Sequence, residues 1–184
     1  MPANKIMLIR HAEKPSDDGV VKGVSAAGTP DPKDLAVRGW QRSGALVRFF
    51  APLSGKLVDQ RLVTPAVIFA AAIAKHSESL RPQHTVLELA TALNLTLVLR
   101  YAKGDEAKLV EAAAGRGGPV LIAWEHEAIP AIANRILGDM TRCPQKWPDT
   151  RFDLVWVLDR QPSGHWTFAQ VPQMLLSGDS AMPI

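Results

Sequence analysis

Short, almost unbroken apolar runs constrain this chain more than any other feature. Ile6-Met7-Leu8-Ile9 ends abruptly at Arg10-His11. Pro65 to Ala72 gives way to the polar stretch Lys75-His76-Ser77-Glu78-Ser79. Pro119 to Trp124 stops at Glu125-His126-Glu127, and Phe152 to Leu158 is apolar at nearly every residue. A strand wetted on one face alternates apolar and polar residues, whereas one covered on both faces reads as a continuous run. These runs predict buried strands. Leu95 to Leu99 predicts another, and Trp166 to Val171 an antiparallel partner that returns after the turn Pro162-Ser163-Gly164.

Helical patterns separate the runs. Val37 to Leu53 carries Trp40, Val47 and Phe50 on one stripe, widened by Leu46, Phe49 and Leu53. A second helix, capped by Ser77 or Ser79, extends to about Leu93 with Asn94 as its stop. A short one follows Gly104-Asp105 as far as Ala114, and Ala128 to Leu137 is amphipathic and ends at Gly138. Strands alternating with helices imply an α/β fold. The expectation is a three-layer α/β/α sandwich with a largely parallel sheet, made mixed by the terminal hairpin.

The 184 residues fit one domain spanning 1–184, with no linker and no internal repeat. Residues 15–36 form a long loop; its Gly, Pro, Ser and Asp residues between Pro15 and Lys33 show no period, and it is long enough to act as a modest lid. The net charge of +3 is carried by dispersed Lys and Arg, which fits a small anionic substrate and argues against a nucleic-acid partner. Cys143 stands alone before Pro144, so it reads as a loop thiol and permits a reducing compartment. The N-terminal apolar run is far too short for a signal or a membrane span, so no membrane partner is expected and the cytoplasm is the default location.

Ligands of such sheets bind beyond the carboxyl ends of the strands. His11 and His126 both fall there, one directly after Arg10. Arg81 falls in the first turn of the second helix, where unpaired N–H groups and a rigid guanidinium fork suit a phosphate. His76 and His84 flank it; His84 is expected to face solvent or pack on its own helix, and His165 to lie on the surface. No paired His spacing or Cys pair suggests a metal site.

Four landmarks now carry a resemblance. Arg10-His11-Ala12-Glu13-Lys14-Pro15 resembles the Arg-His motif that opens the histidine phosphatase (phosphoglycerate-mutase-like) superfamily. Leu35, Gly39 and Arg42 resemble its next landmark. Ser79-x-Arg81-x-x-His84-Thr85 resembles the segment of its second arginine, usually followed by Gln-Thr; here Gln83 is displaced by one. Trp124-Glu125-His126 stands where that superfamily has its second histidine. The landmarks follow the superfamily's order over roughly residues 5 to 137.

The resemblance implies a phosphoric monoester hydrolase without metal or cofactor. His11 would be the nucleophile, forming a phosphohistidine intermediate. Arg10, Arg81 and His126 would bind the phosphoryl group. The general acid is where the chain departs from better-known members: Arg100 to Glu106 lacks the acid segment of the mutase branch, which disfavours a mutase. Glu127, directly after the second histidine, takes the position of the acid-phosphatase aspartate and is the favoured proton donor. Glu13 comes next, then Asp105 and Glu106, with Lys14 beside the pocket; a good leaving group would need no donor. The leading expectation is hydrolysis of a small phosphorylated metabolite. The rivals are a phosphohistidine phosphatase acting on a signalling phosphoprotein and a non-catalytic phosphate-binding regulator.

Overall fold

The computed structural model describes residues 3–75 and 77–184; His76 lies outside the described residues. Its strands are β1 (Lys5–Arg10), β2 (Val67–Ala70), β3 (Val120–Trp124), β4 (Leu154–Arg160) and β5 (Trp166–Pro172). Its helices are α1 (Val37–Phe50), α2 (Arg81–Ala92), α3 (Glu106–Ala114) and α4 (Ile129–Leu137). The sheet order is β2-β3-β1-β4-β5. β1 and β2 both run parallel to β3, while β4 runs antiparallel to β1 and to β5.

Successive side chains of a strand point to opposite faces. Ile6 and Leu8 therefore meet Leu109 of α3 and Ile132 of α4, while Met7 and Ile9 meet Leu46 of α1 and Val86 of α2. Both sheet faces are covered, giving the expected α/β/α layering. β1 is buried from Ile6 onward and β3 throughout, which is why both read as unbroken apolar runs. Asn94 and Gly138 adopt positive φ (54° and 66°) and end α2 and α4 as expected.

The terminal hairpin forms as expected, with β5 as the edge strand and β4 inside the sheet against β1. Two details differ from expectation. Leu95 to Leu99 is not a full strand: Val98 alone bridges to Phe69, at the sheet edge beside β2. Neither Ser77 nor Ser79 caps α2 in the usual manner; Leu80 is its N-cap residue, and a proline opens the helix.

The topology prepares a site. β1 and β3 are parallel neighbours in a register that pairs Arg10 with Trp124. The His11 N–H continues the ladder to the Trp124 carbonyl at 3.0 Å. Residue 11 and residues 125–127 thus leave the sheet side by side. Gly39 of α1 packs so closely on the loop after β1 that a Cβ there would lie 2.5 Å from the Glu13 carbonyl oxygen.

Candidate active site

A cavity of about 190 Å³ opens at these strand ends. Arg10, His11 and Lys14 come to it from β1 and the loop that follows; Ser79 and Arg81 come from the start of α2. Lys103 and the triplet Glu125, His126 and Glu127 complete the wall. Five of the residues singled out in the sequence are thereby brought together with Lys14.

His11 is 5% exposed. Its Nδ1 lies 2.7 Å from the Ala12 carbonyl, which can only accept, so Nδ1 carries the proton and Nε2 keeps a lone pair. Burial, reinforced by Arg10, Arg81 and His126, pushes its pKa down to about 3 against the opposing Ala12 bond. The ring is therefore neutral across the physiological range.

Arg10 is fully buried, with its guanidinium 3.8 Å over the Phe152 ring. Its Nη1 donates to the carbonyls of Asp149 (2.6 Å) and Arg151 (3.1 Å). Nε and Nη2 are buried without an acceptor among the described residues. Such donors are costly unless something accepts from them. Burial lowers the Arg10 pKa to about 10, so the cation persists at neutral pH.

Arg81 is held from outside the cavity. Its Nη2 donates to the Pro32 carbonyl at 3.0 Å and its Nε to that of Asp34 at 3.3 Å. Thr85 ties this turn to the loop after β1: its hydroxyl accepts from the Ala12 N–H (2.8 Å) and donates to the Arg81 carbonyl (2.7 Å). Of the Pro15–Lys33 loop, Pro32 reaches the site through that carbonyl, and no residue of the loop is among the cavity-lining groups.

His126 pairs through Nε2 with Asp149 Oδ1 at 2.6 Å. Burial and Arg10 push its pKa below the ordinary imidazole value, with Asp149 opposing. Lys14 pairs with the exposed Asp17. Lys103 bridges two carboxylates, Glu125 at 2.9 Å and Glu127 at 3.1 Å. Glu127 is largely solvent-exposed, and its hydrogen bond from Lys103 holds its carboxyl below the usual range. Glu125 is far better shielded and also accepts from Ser77 Oγ at 3.1 Å.

Glu13 does not reach the cavity. It is committed to Arg42, whose Nη2 and Nε lie 2.8 and 3.0 Å from its two oxygens, and to Arg38. Arg42 in turn binds the buried Asp179 at 2.7 Å. Burial opposes the Arg42 charge, but hydrogen bonds to Asp179 and Glu13 outweigh it and raise the pKa. His84 also differs from expectation: its Nδ1 is 2.7 Å from the buried Asp34 Oδ1, and its ring lies against Trp40. His165 is exposed, as expected. Asp105 pairs with Lys108, and Glu106 accepts from Trp124 Nε1.

Lys103, Glu125, Ser79 and Asp149 are site residues that reasoning on the sequence passed over as participants. Asp149 lies in a Pro-containing loop remote in sequence from both histidines, and no local pattern marks it. Glu125 had a signal, since it shares the strand-end position with His126. Among the described residues, no three His, Cys, Asp or Glu side chains group as a metal site. Positive charge in the cavity comes from guanidinium and ammonium groups. With an unprotonated imidazole nitrogen among them, they suit a tetrahedral oxyanion that is attacked as well as bound.

No protein-family model and no curated protein sequence matches the chain. Solved structures do. The protein histidine phosphatase SixA complexed with tungstate is 16% identical, with a TM-score of 0.52 over 92% of this chain and 97% of that one. A mycobacterial glucosyl-3-phosphoglycerate phosphatase, in complex with VO3, is 12% identical with a TM-score of 0.53 over 91% and 97%. The alpha-ribazole phosphatase from Shigella flexneri is 13% identical with a TM-score of 0.52 over 90% and 94%.

Proposed function

We propose that this chain, which has the fold of the histidine phosphatases, is itself a metal-independent phosphatase that hydrolyses phosphomonoesters through a phosphohistidine on His11. The observation that carries this reading is the company of the His11 ring. Its proton is committed to the Ala12 carbonyl, and in the same wall Arg10 offers two buried donors with no acceptor among the described residues. In the first half-reaction the Nε2 lone pair forms a bond to phosphorus while the bond to the leaving oxygen breaks. Arg10, Arg81 and His126 meet the charge on the non-bridging oxygens, the chief catalytic device in phosphoryl transfer. In the second half-reaction water attacks phosphorus, the P–N bond breaks, and inorganic phosphate leaves. Glu127 lines the same cavity with a largely exposed side chain. The lone free cysteine, Cys143, is consistent with work in a reducing cytoplasm. Among the described residues no helix is long and apolar enough to cross a membrane.

The test is hydrolysis of para-nitrophenyl phosphate with chelator present. The wild type should remain active and His11→Ala should lose turnover entirely. Acid-labile phosphate should be trapped on the wild type alone. Activity that needs an added metal, or that survives in His11→Ala, overturns the reading.

The cavity size favours a second reading for the substrate. Sites for whole small molecules usually enclose about 300 Å³ or more, whereas this one has about 190 Å³. It admits a phosphoryl group and leaves most of the carrier outside. A phosphorylated side chain on a protein, phosphohistidine included, meets that condition, since its carrier lies wholly outside the cavity. Relative kcat/KM on a phosphohistidine protein and on a panel of phosphorylated metabolites separates the two.

A further inference from the structure

Phosphomonoester cleavage leaves an alkoxide unless something protonates the departing oxygen. Two carboxylates line the cavity with His11: Glu125 and Glu127. The structure treats them differently. The Glu127 side chain is 67% exposed and that of Glu125 is 16% exposed. Ser77 Oγ holds one Glu125 oxygen and Lys103 Nζ the other, so the carboxylate is fixed by groups from two separate segments. The remaining acids are spent elsewhere: Glu13 on Arg42 and Arg38, Asp105 on Lys108, Glu106 on Trp124 and the Gly104 N–H.

We infer that Glu125, the residue just before the second histidine, is the proton donor to the leaving group, and that Glu127 serves to hold Lys103 while Glu125 carries the proton. The inference rests on the phosphatase reading above. Its logic is one of charge. Lys103 stands between the two carboxylates, while Arg10, Arg81 and Lys14 line the same cavity. A phosphoryl dianion entering the cavity draws on those cations, and its own charge then favours the neutral form of the less hydrated carboxylate. Glu125 is that group. Lys103 retains a counter-ion because Glu127 stays ionised in water. When the bond from His11 Nε2 to phosphorus forms and the bond to the ester oxygen breaks, the Glu125 proton passes to that oxygen and the leaving group departs as a neutral alcohol. In the second step Glu125 takes a proton from the attacking water as its oxygen bonds to phosphorus, and the P–N bonding pair returns to His11 Nε2 as inorganic phosphate leaves. The donor is thereby restored.

The experiment compares kcat/KM for phenyl phosphate, a poor leaving group, with that for 2,4-dinitrophenyl phosphate, a good one. Wild type, Glu125→Gln, Glu127→Gln and His11→Ala are measured with chelator present. Glu125→Gln should lose about 10²–10³-fold on phenyl phosphate and less than about tenfold on the dinitrophenyl ester, whose retained turnover also certifies its fold. Glu127→Gln should slow both esters by similar factors. Equal slowing of both esters by Glu125→Gln, no slowing of either, or selective loss in Glu127→Gln overturns the assignment while an inactive His11→Ala leaves the phosphatase reading intact. Turnover in His11→Ala overturns that reading, and this inference with it.

Discussion

A histidine attacks phosphorus only while one ring nitrogen keeps its lone pair. Here burial and neighbouring cations secure that, at a cost that pH reveals. The unfolded chain protonates this ring near pH 6.5; the folded one does so near 3. Between those values the unfolded state binds more protons, so the contribution to stability is complete above about pH 6.5 and drains away as pH falls. Relative to His11→Gln, the wild type should lose about 2 kcal/mol between pH 7 and pH 5. Urea melts of both proteins at the two pH values check this; parallel pH dependence would mean the ring protonates in the fold as readily as in water. At this scale the sequence was informative where strand ends announce residues, as for His11, His126 and Arg10. It was silent on Asp149 and Lys103, because a loop's path depends on the elements it crosses and not on its own period.

Among elements, the critical joint is between the loop after β1 and the first turn of α2. The Thr85 hydroxyl is its pin, fully buried and bonded on both sides. Thr85→Val keeps the shape but leaves the Ala12 N–H without its acceptor, which should cost about 1–3 kcal/mol in urea denaturation. The larger signal should be kinetic: displacement of Arg81 by a fraction of an ångström predicts a fall in kcat/KM of up to about 10²-fold. Unchanged kinetics would mean that Pro32 and Asp34 alone position that guanidinium. The element pattern itself was readable because β1, β3 and β4 are buried on both faces and because Asn94 and Gly138 stop their helices. Leu95 to Leu99 misled because its alternating pattern is that of a strand, yet at the sheet edge only Val98 finds a bridging partner. Residues Leu97 and Val98 are only partly buried there, and Leu99 is exposed.

Across the whole molecule, Arg42 joins parts of the chain that no local rule connects. From α1 it binds Glu13 of the loop after β1 and the sequence-distant Asp179, with Gln173 as a further acceptor. Both Arg42 and Asp179 have almost no exposed side-chain area. Breaking a buried pair strands the remaining charge, so Arg42→Met should cost about 3–5 kcal/mol. The two carboxylates would then share only the half-exposed Arg38, and the loss in urea melts should exceed that of Arg38→Met, whose side chain is far more exposed. The Leu35–Gly39–Arg42 landmark was visible in the sequence, but its partner at 179 was not, since the two meet only once the sheet is assembled.

That distance along the chain also orders events on the ribosome. β1 sits mid-sheet between β3 and β4, so it waits for a strand made long after it. A nascent chain that has reached residue 150 already holds Arg10, His11, Arg81 and His126. It still lacks the strand that closes one flank of β1 and the aspartate that neutralises Arg42. The assembled cavity should therefore appear abruptly, once β4 and the segment around Asp179 are translated, rather than accumulate as its residues emerge.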